Sequence, residues 1–474
     1  MGPMPTLSHE EDNFLSDVFL TLRKYIQESS EQEKVVNVKS VAELKSLLPP
    51  IQADGISYAQ LSLELKEILN NSVNTIHPLF LNQLFGGVDV AAWVGEVASA
   101  LLNPTMATFE IAPLITVMEK RMVQELINLI GFNKGEGIMV TGGSNSNLLS
   151  MLCARTNYNP SIRQTGFSHN QFRVYVSAEA HYSFDKAANI TGIGTQNLVL
   201  VPCNDRGEMI PAELERIIVS DIKDGFTPIM VGVTSGSTVL GAFDPITPIA
   251  KICDAHQIWL HVDAAWGGGA LFSKKNRFLL KGIELADSVT FDAHKILGAP
   301  MVTSFFLTKH AGILRTTNRG GGAEYLFHEY DNSDWDTGTY SLQCGRRADA
   351  LKLWLLWRVH GSEGIGQRTD QLFDLAKFTT HEIQNHSRFK FIHAHYLNVC
   401  FQIKPHSSKK DINTFTLEVR EALVKEGRAL INYAKRADGT IFFRLVFPNH
   451  KTTKQHIIQL LKLIVDKADF IENN

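Results

Sequence analysis

Short apolar runs alternate with helical patterns between about residues 74 and 346, and this alternation limits the fold more than any other feature of the chain. Runs that are apolar at nearly every position, separated by amphipathic helices, are typical of a mostly parallel sheet covered by helices on both faces. Ligands bind such sheets at the carboxyl ends of the strands, so residues that follow the strands are the first candidates for a site. The predicted strands are Gly137–Val140, Phe172–Val176, Leu198–Pro202, Ile229–Thr234, Ile258–Val262, Ser288–Phe291 and Thr303–Thr308.

The segments on either side of this region have different patterns. Three amphipathic helices are predicted before it, at His9–Gln32, Val41–Leu48 and Tyr58–Asn70. Long helices with a few strands follow it, and the last predicted helix is Thr453–Ile471. We therefore predict a helical amino-terminal segment at 1–73, a large α/β domain at 74–346 and a small α+β domain at 347–474.

Composition excludes several classes of function. The 474 residues are 44% hydrophobic and carry a formal net charge of −3. The chain therefore lacks the excess of positive charge that is typical of proteins that bind nucleic acid or an anionic membrane. No run approaches the roughly 18 apolar residues of a membrane span, and the first residues lack the regions of a secretory signal. The five cysteines are widely spaced, without a Cys-x-x-Cys pair, and the histidines form no ligand cluster. We therefore expect a cytoplasmic protein with reduced thiols and no structural metal.

Lys295 follows the apolar run Ser288–Phe291 and stands beside His294 among small residues. Burial disfavours the ammonium form of a lysine, and a neutral lysine amine can form a Schiff base with a carbonyl compound. Considered alone, the pattern also suits a partly exposed lysine at a strand end.

Two further stretches favour a reactive lysine. The predicted strand Ile258–Val262 leads to Asp263 and then to small residues that leave space in front of it. Gly142 and Gly143 precede an apolar helix, and the backbone N–H groups at such a helix start bind phosphate. An aspartate can equally cap a turn, and a glycine pair suits any tight turn. Together, however, the three stretches supply what pyridoxal 5′-phosphate requires.

These motifs identify a resemblance. The chain resembles the group II pyridoxal-phosphate-dependent amino acid decarboxylases, in the branch of the glutamate, cysteine-sulfinate and aspartate decarboxylases, from about His77 to Phe447. This resemblance implies the type I, aspartate aminotransferase-like fold of pyridoxal-phosphate-dependent transferases. Its carriers include His77-Pro-Leu-Phe-Leu-Asn-Gln83-Leu, Phe109-Glu-Ile-Ala-Pro, Gly241-Ala-Phe-Asp-Pro, His261-Val-Asp-Ala-Ala-Trp-Gly-Gly, Asp336-Thr-Gly, Gln343-Cys-Gly-Arg and Phe442-Phe-Arg444.

The resemblance assigns roles around the cofactor ring. It implies that Lys295 carries the cofactor, that Asp263 pairs with the pyridine nitrogen and that His181 stacks on the ring opposite Ala265. A lone histidine is otherwise more often a satisfied core group. Asp263 would keep the ring nitrogen protonated, which lets the ring accept the electrons left at Cα when carbon dioxide departs.

A second group of residues is implied around the cofactor's phosphate and ring oxygen. Gly143 and Ser144 would bind the phosphate through N–H and hydroxyl donors, together with Ser288 and His294. Thr238 matches the threonine near the ring oxygen, although a buried strand-end threonine is the alternative.

Substrate capture is implied for Gln83 and Arg444, which hold the acidic end of the substrate in related glutamate and cysteine-sulfinate decarboxylases. Arg444 stands in a strand-like apolar run, where an internal salt bridge is the alternative to a substrate carboxylate. The Phe85-Gly-Gly segment is closer to the cysteine-sulfinate and aspartate members. Ala107, where an aromatic ring is usual, opens the pocket, and Thr105 also departs from both patterns, so glutamate stays an open choice.

A glycine-rich segment between Gly320 and Trp335 suits a mobile loop. In the family, a loop tyrosine closes over the neighbouring subunit's site and returns a proton to Cα, and Tyr330 is its best match. The segment is two residues shorter than usual, so Tyr325 and Tyr340 are rivals. The resemblance also implies a homodimer with shared active sites, in which the amino-terminal helices pack across the dimer. Packing of those helices on their own subunit is the alternative.

Asp292 departs from the family pattern, because an asparagine is common at this position before the lysine. The extra carboxylate alters the charge beside Lys295, and the sequence alone does not give the direction of its effect.

The predicted function is therefore pyridoxal-phosphate-dependent α-decarboxylation of a small acidic L-amino acid (aspartate, cysteine sulfinate or glutamate), which gives an amine and carbon dioxide. One alternative keeps the fold and cofactor but forms an aldehyde by oxidative deamination or cleaves a carbon–carbon bond. The other is a non-catalytic scaffold of the same fold.

Overall fold

The computed structural model describes residues 7–51, 53–167, 171–321, 325–328, 331–407 and 410–473. The helices are α1 His9–Glu28, α2 Val41–Ser46, α3 Tyr58–Asn71, α4 Val90–Leu102, α5 Pro113–Ile130, α6 Gly143–Tyr158, α7 Ile162–Thr165, α8 Ser183–Ile190, α9 Pro211–Lys223, α10 Ile246–His256, α11 Ile313–Asn318, α12 Ala350–Asn385, α13 Ile412–Glu426 and α14 Lys454–Asn473. The strands are β1 Phe80–Leu81, β2 Glu136–Val140, β3 Phe172–Ser177, β4 Leu198–Val201, β5 Thr227–Thr234, β6 Trp259–Ala264, β7 Ser288–Asp292, β8 Ser304–Thr308, β9 Phe389–His395, β10 Asn398–Ile403, β11 Leu430–Lys435 and β12 Ile441–Val446.

The chain divides into two compact units. The first unit comprises residues 1–87, 381–392 and 400–474, and the second comprises residues 88–380 and 393–399. Among the described residues, no helix is both long enough and apolar enough to cross a membrane.

The second unit is built on a sheet with the strand order β2–β8–β7–β6–β5–β3–β4. The strands β4, β3, β5, β6 and β7 run parallel to one another, whereas β8 is antiparallel to both β7 and β2. All residues of β6, β7 and β8 are buried, as expected for central strands covered on both faces. The structure thus confirms the predicted α/β class with a mostly parallel sheet, and the seven predicted strands are found within two residues of their bounds.

The core of this unit forms where α6 and α8 pack on the sheet. It includes Val174 and Val176 of β3, Leu149 and Met151 of α6, and Phe184 of α8. Burial of each large apolar side chain contributes about 1.5–3 kcal/mol. This packing holds the first turn of α6 close to the carboxyl ends of the central strands.

The amino-terminal helices begin at side-chain caps. Ser8 and Glu11 form a capping box on α1, in which the Ser8 N–H donates to Glu11 Oε2 at 2.8 Å. Ser40 and Ser57 do the same for α2 and α3. These reciprocal bonds satisfy backbone N–H groups that have no partner within the helix, so the polar residues before each helix fix where it starts.

The remainder of the first unit pairs α1 with α3 and carries strands from the end of the chain. Phe14 and Tyr58 contact each other at a ring-centroid distance of 5.1 Å, so α1 packs on α3 of its own chain. The associated sheet has the order β1–β11–β12–β10–β9, with β1 parallel to β11 and β11 antiparallel to β12.

Candidate active site at the carboxyl ends of the central strands

The predicted site residues of the second unit gather where β2, β6 and β7 end. Asp263 in β6 is paired in register with Thr234 on one side and Thr290 on the other. Lys295 stands three residues beyond the end of β7, and α6 begins three residues beyond the end of β2. The carboxyl ends of the parallel strands β6 and β7 meet at one edge of the sheet, which is where ligands bind in this class of fold.

Lys295 lies in the turn after β7 and its side chain is 21% exposed. Its Nζ atom lies 3.5 Å from Oδ2 of Asp292, the last residue of β7. Asp292 is buried, and among the described residues its Oδ1 atom has no hydrogen-bond partner. The lysine is therefore reachable from solvent and faces a buried carboxylate.

His294 is buried beside this pair. Its Nε2 atom lies 3.7 Å from Asp292 Oδ2, and its Nδ1 atom lies 3.3 Å from both the backbone nitrogen of Thr303 and Oγ of Ser304. Burial lowers the pKa of His294, the Asp292 carboxylate opposes that change, and the positive charge of Lys295 adds to it. A neutral imidazole is the expected form at neutral pH.

Asp263 is buried and held at both carboxylate oxygens. The N–H of Ala265 donates to Oδ1 at 3.1 Å, and Nδ2 of Asn147 donates to Oδ2 at 2.8 Å. A carboxylate has about four acceptor positions. Among the described residues only these two hydrogen bonds to the carboxylate are found, so Asp263 retains the capacity to accept a further donor.

His181 lies just before α8, and its ring centroid is 4.3 Å from that of the exposed Tyr182. Burial lowers the pKa of His181, the Asp263 carboxylate raises it and the Lys295 ammonium lowers it. The charges of both residues therefore act on the imidazole of His181.

The start of α6 approaches the same edge. Gly142 has a φ of 104°, a conformation that suits glycine, and it leads directly into the first turn. A Cβ atom on Gly143 would lie 2.9 Å from Oδ2 of Asp292 and 3.3 Å from Cβ of Ala265, so its backbone passes close to both residues. The N–H groups of Gly143 and Ser144 lie in the first turn, where no carbonyl of the helix accepts them.

Thr238 lies in the turn after β5 and is half-buried, and its carbonyl oxygen accepts from Nδ2 of Asn398 at 3.1 Å. This turn follows the carboxyl end of the strand next to β6, as the prediction for Thr238 requires.

The structure corrects the prediction for Ser288. This residue begins β7 and is paired with His261, so it lies at the opposite end of the strand from Asp292. A strand rises about 3.3 Å per residue, which separates the two ends by roughly 13 Å. The Ser288 hydroxyl is fully buried and contacts Nε1 of Trp259 and Nδ1 of His261, both at 2.8 Å. It therefore supports the sheet and does not reach a phosphate at the start of α6.

Gln83 and Arg444 belong to the first unit. Gln83 is exposed in the segment after β1. Arg444 lies in β12, is 5% exposed, and donates from Nη2 to the carbonyl of Asn82 at 2.6 Å. Burial lowers the pKa of Arg444. The structure thus brings a buried guanidinium to the backbone next to Gln83.

Tyr330 lies outside the described residues. Of its two rivals, Tyr325 is 80% exposed, whereas Tyr340 lies in a short 3-10 helix and burial raises its pKa. Ala107 is fully buried, and its carbonyl accepts from the N–H of Gly338 at 2.8 Å.

Sequence reasoning missed Asn147 and His261, which are buried directly behind Asp263. His261 could have been found from the sequence, because it stands two residues before Asp263 on a predicted strand and such residues point to the same face of a sheet. Asn147 stands 116 residues from Asp263, and only the packing of α6 on the sheet brings the two side chains together.

The residues at this edge fit pyridoxal 5′-phosphate. Asp263 is a buried, firmly held carboxylate with acceptor capacity left for a pyridinium N–H. The first turn of α6 offers N–H donors to a phosphate, and Lys295 offers an amine that solvent reaches. The carboxylate of Asp292 next to Gly143 opposes an anionic group at the first turn of α6.

Comparisons with known proteins agree with this reading. A family model described as the pyridoxal-dependent decarboxylase conserved domain matches residues 42–404. Cysteine sulfinic acid decarboxylase of Mus musculus is 38% identical over 467 residues, which cover 94% of each chain. Acidic amino acid decarboxylase GADL1 of Bos taurus is 37% identical over 454 residues, which cover 93% of this chain and 86% of the relative.

Solved structures give the same result. The crystal structure of mouse CSAD superimposes with a TM-score of 0.93 at 35% identity, covering 96% of this chain and 98% of that one. The crystal structure of Oryza sativa TDC with PLP and tryptamine shares the fold, with a TM-score of 0.89 at 22% identity. The predicted family, fold and cofactor are thereby confirmed. The chain belongs to the pyridoxal-dependent decarboxylases and is an amino acid carboxy-lyase.

Proposed function

We propose that this decarboxylase acts on a small acidic L-amino acid, with aspartate, cysteine sulfinate and glutamate as the candidates. The observation that carries this proposal is the buried guanidinium of Arg444, held against the backbone beside Gln83. A buried, planar guanidinium is suited to bidentate recognition of a carboxylate or sulfinate. Two groups of similar proteins, named for cysteine sulfinic acid and for acidic amino acids, support the same substrate class.

Different residues at the strand ends contact different parts of the cofactor. Lys295 supplies the amine that attaches it, Asp263 accepts from its ring nitrogen, and the first turn of α6 with His294 holds its phosphate. His181 and Ala265 enclose the ring, and Thr238 lies near the ring oxygen. When bound, pyridoxal 5′-phosphate supplies the electron sink that makes loss of the α-carboxylate possible.

The chain's own groups then set orientation and protonation. Arg444 and Gln83 take the acidic end of the substrate, which leaves the α-carboxylate as the free group. Asp263 keeps a proton on the ring nitrogen, and Lys295 takes part in release of the amine. Tyr330 is proposed to return the proton to Cα, which completes replacement of the carboxylate by hydrogen.

The direct test incubates the cofactor-loaded protein separately with L-aspartate, L-cysteine sulfinate and L-glutamate. Carbon dioxide and amine are measured, with Lys295→Ala as the control. Release with at least one acid, abolished in the control, supports the proposal and names the substrate. Release of ammonia and peroxide in place of amine would indicate oxidative deamination, and no reaction with all three acids would refute the acidic-substrate assignment.

Arg444→Lys tests the substrate contact. Lysine keeps the charge but loses the bidentate geometry, so kcat/KM for the acidic substrate is expected to fall by about 10–100-fold, or roughly 1.4–2.7 kcal/mol. Arg216→Lys on the exposed face of α9 is the matched control and should leave kcat/KM unchanged. Equal kcat/KM in Arg444→Lys and the parent protein would remove Arg444 from the substrate site.

A cytoplasmic homodimer with shared active sites is part of the same proposal. The supporting observation is that α1 and α3, although packed on each other, leave apolar side chains exposed, among them Phe19 at 48%, Leu20 at 65% and Leu63 at 62%. A second copy of the chain would cover these side chains. The division into parts at 1–73, 74–346 and 347–474 is likewise kept as a proposal.

Sedimentation velocity gives the oligomeric state, and subunit mixing tests the shared site. Lys295→Ala and Tyr330→Phe are each expected to be impaired as homodimers. If Tyr330 serves the neighbouring subunit's Lys295, a mixed dimer contains one site in which both residues are intact. Recovery of activity on mixing supports shared sites, whereas a monomer in sedimentation would contradict them.

A further inference from the structure

A chain of buried polar side chains runs through the sheet behind Asp263. Asn147 of α6 is 1% exposed and His261 of β6 is fully buried. Nε2 of His261 lies 3.0 Å from Oδ1 of Asn147, whose Nδ2 lies 2.8 Å from Oδ2 of Asp263.

The amide of Asn147 has only one orientation that satisfies its neighbours. An ionised carboxylate accepts hydrogen bonds and donates none, so the NH₂ group must face Asp263. The same NH₂ group donates to Oγ of Ser183 at 2.9 Å. The carbonyl oxygen is therefore turned the other way, where it accepts from Oγ1 of Thr290 at 2.9 Å and faces His261.

This orientation fixes the tautomer of His261. An amide oxygen accepts only, so Nε2 of His261 must carry a proton toward Asn147. Burial lowers the pKa of His261 to about 4, so at neutral pH the ring carries one proton and Nδ1 is an acceptor. The Ser288 hydroxyl supplies the donor to Nδ1, and its oxygen accepts from the indole N–H of Trp259.

In this series of buried side chains each hydrogen bond is therefore donated in the same direction, from Trp259 through Ser288, His261 and Asn147 to Asp263. We propose that Asn147 and His261 are positioning residues that hold the Asp263 carboxylate in place against the ring nitrogen of the cofactor. The inference rests on the proposed pairing of Asp263 with that nitrogen, and it assigns the support of that contact to these two side chains.

The physical consequence concerns the proton on the ring nitrogen. A carboxylate fixed in position stabilises the protonated nitrogen more than a carboxylate that rotates or withdraws, because no reorganisation is needed. Loss of either positioning residue should let the ring nitrogen lose its proton at lower pH. It should also lower kcat with little change in KM, because substrate capture lies elsewhere.

The test uses cofactor labelled with ¹⁵N at the ring nitrogen, bound to the full-length protein. The ¹⁵N chemical shift, followed against pH, reports directly whether the nitrogen carries a proton, independently of substrate turnover. The variants are Asn147→Leu and His261→Phe, which keep much of the side-chain volume and remove the hydrogen bonds. His261→Gln keeps a donor for Asn147 and serves as the conservative variant.

The expected result is that the midpoint of ring-nitrogen deprotonation falls by about one pH unit or more, a tenfold change, in Asn147→Leu and His261→Phe. His261→Gln should recover most of the shift. Asn157→Leu on the exposed face of α6 and the exposed His381→Phe should match the parent protein. Circular dichroism and cofactor stoichiometry establish that each compared variant is folded and loaded.

Asp263→Asn separates this inference from the role of Asp263 itself. If Asp263→Asn leaves the ¹⁵N titration unchanged, Asp263 does not face the ring nitrogen and both assignments fail. If Asp263→Asn shifts the titration but a folded Asn147→Leu leaves it unchanged, the positioning role alone is overturned. If Asn147→Leu does not fold, the same outcome is judged on His261→Phe. A shift that His261→Gln fails to reduce also contradicts the directed chain, since packing and not the hydrogen bond would be responsible.

Discussion

Oδ2 of Asp292 lies 3.5 Å from Nζ of Lys295, and no other described acid lies within salt-bridge distance of this lysine. Among the described residues, the only other basic side chain within 4.0 Å of the Asp292 carboxylate is the imidazole of His294, at 3.7 Å. The buried carboxylate therefore lies directly beside the amine that is proposed to attach the cofactor. It also lies beside Gly143, where the phosphate is proposed to bind.

Asp292→Asn is expected to accelerate attachment of pyridoxal 5′-phosphate to the cofactor-free protein. The Asp292 carboxylate beside Lys295 and Gly143 repels an incoming phosphate, whereas the neutral amide of asparagine does not. Two unit charges about 4 Å apart interact by roughly 4 kcal/mol at an effective dielectric constant of 20. Because Lys295 is partly exposed, we expect a smaller effect, about tenfold in rate at pH 7, measured by stopped-flow absorbance.

The exposed Asp254→Asn in α10 is the control for a general change in net charge and should leave the rate unaltered. Slower attachment in Asp292→Asn would show that the carboxylate assists the reaction, for example by accepting a proton from the lysine.

Gly143→Ala is expected to weaken cofactor binding at least about tenfold, or 1.4 kcal/mol. The added Cβ would lie 2.9 Å from Asp292 Oδ2 and 3.3 Å from Ala265 Cβ, and the side chains at both positions are buried. Either the Asp292 side chain or the first turn of α6 must shift to make space, and both border the proposed phosphate site. Equilibrium titration of the cofactor-free protein, followed by fluorescence, measures the change in Kd.

Gly345→Ala is the matched control, because a Cβ there meets nothing within 4 Å and the glycine does not need a left-handed conformation. A Gly143→Ala variant that binds cofactor as tightly as Gly345→Ala would show that α6 does not approach the phosphate.

Strand positions were predictable from the sequence because the central strands are buried on both faces and so are apolar throughout, as in β6 and β7. Asp263 was placed by the rule that ligands bind where the strands of such a sheet end, whereas most of the other roles came from the family resemblance. The resemblance placed Ser288 at the phosphate, which is wrong because the extended strand β7 separates Ser288 from the turn that holds Lys295. The contact of Asn147 with Asp263 could not be predicted from the sequence, because it depends on how α6 packs on the sheet and not on any local pattern.

Removal of either partner of the ion pair between Glu119 and Arg346 is expected to lower the free energy of unfolding by about 3–5 kcal/mol. Both residues are buried, Arg346 Nη1 lies 2.8 Å from Glu119 Oε1, and Glu119 also accepts from the N–H of Met139 at 2.9 Å. Either single substitution, Glu119→Leu or Arg346→Met, leaves an unpaired buried charge. Urea unfolding measures the loss.

The double variant Glu119→Leu with Arg346→Met should cost much less than the sum of the single variants, because no unpaired charge remains. Glu125→Gln, also in α5, breaks an exposed pair with Arg121 and should change stability by less than about 1 kcal/mol. Additive losses in the double variant would contradict a direct interaction.

The stability of the protein should fall on acidification, and His261 should account for part of the loss. Burial disfavours the imidazolium and lowers the pKa of His261 from its ordinary value of 6.5 to about 4 in the folded protein. The unfolded chain therefore binds a proton more readily below pH 6.5, which lowers the free energy of unfolding as the pH decreases toward 4. Between pH 8 and pH 5 this contribution amounts to about 2 kcal/mol, at 1.36 kcal/mol per unit.

His261→Gln removes the titrating group while retaining hydrogen-bonding capacity. The difference in free energy of unfolding between the parent protein and His261→Gln should therefore shrink, by about 2 kcal/mol, between pH 8 and pH 5. The exposed His381→Gln is the control for loss of an imidazole outside this group of buried side chains. A pH-independent difference for His261→Gln would mean that the folded protein accepts the proton as readily as the unfolded chain, and the tautomer that Asn147 fixes in His261 would then be lost on mild acidification.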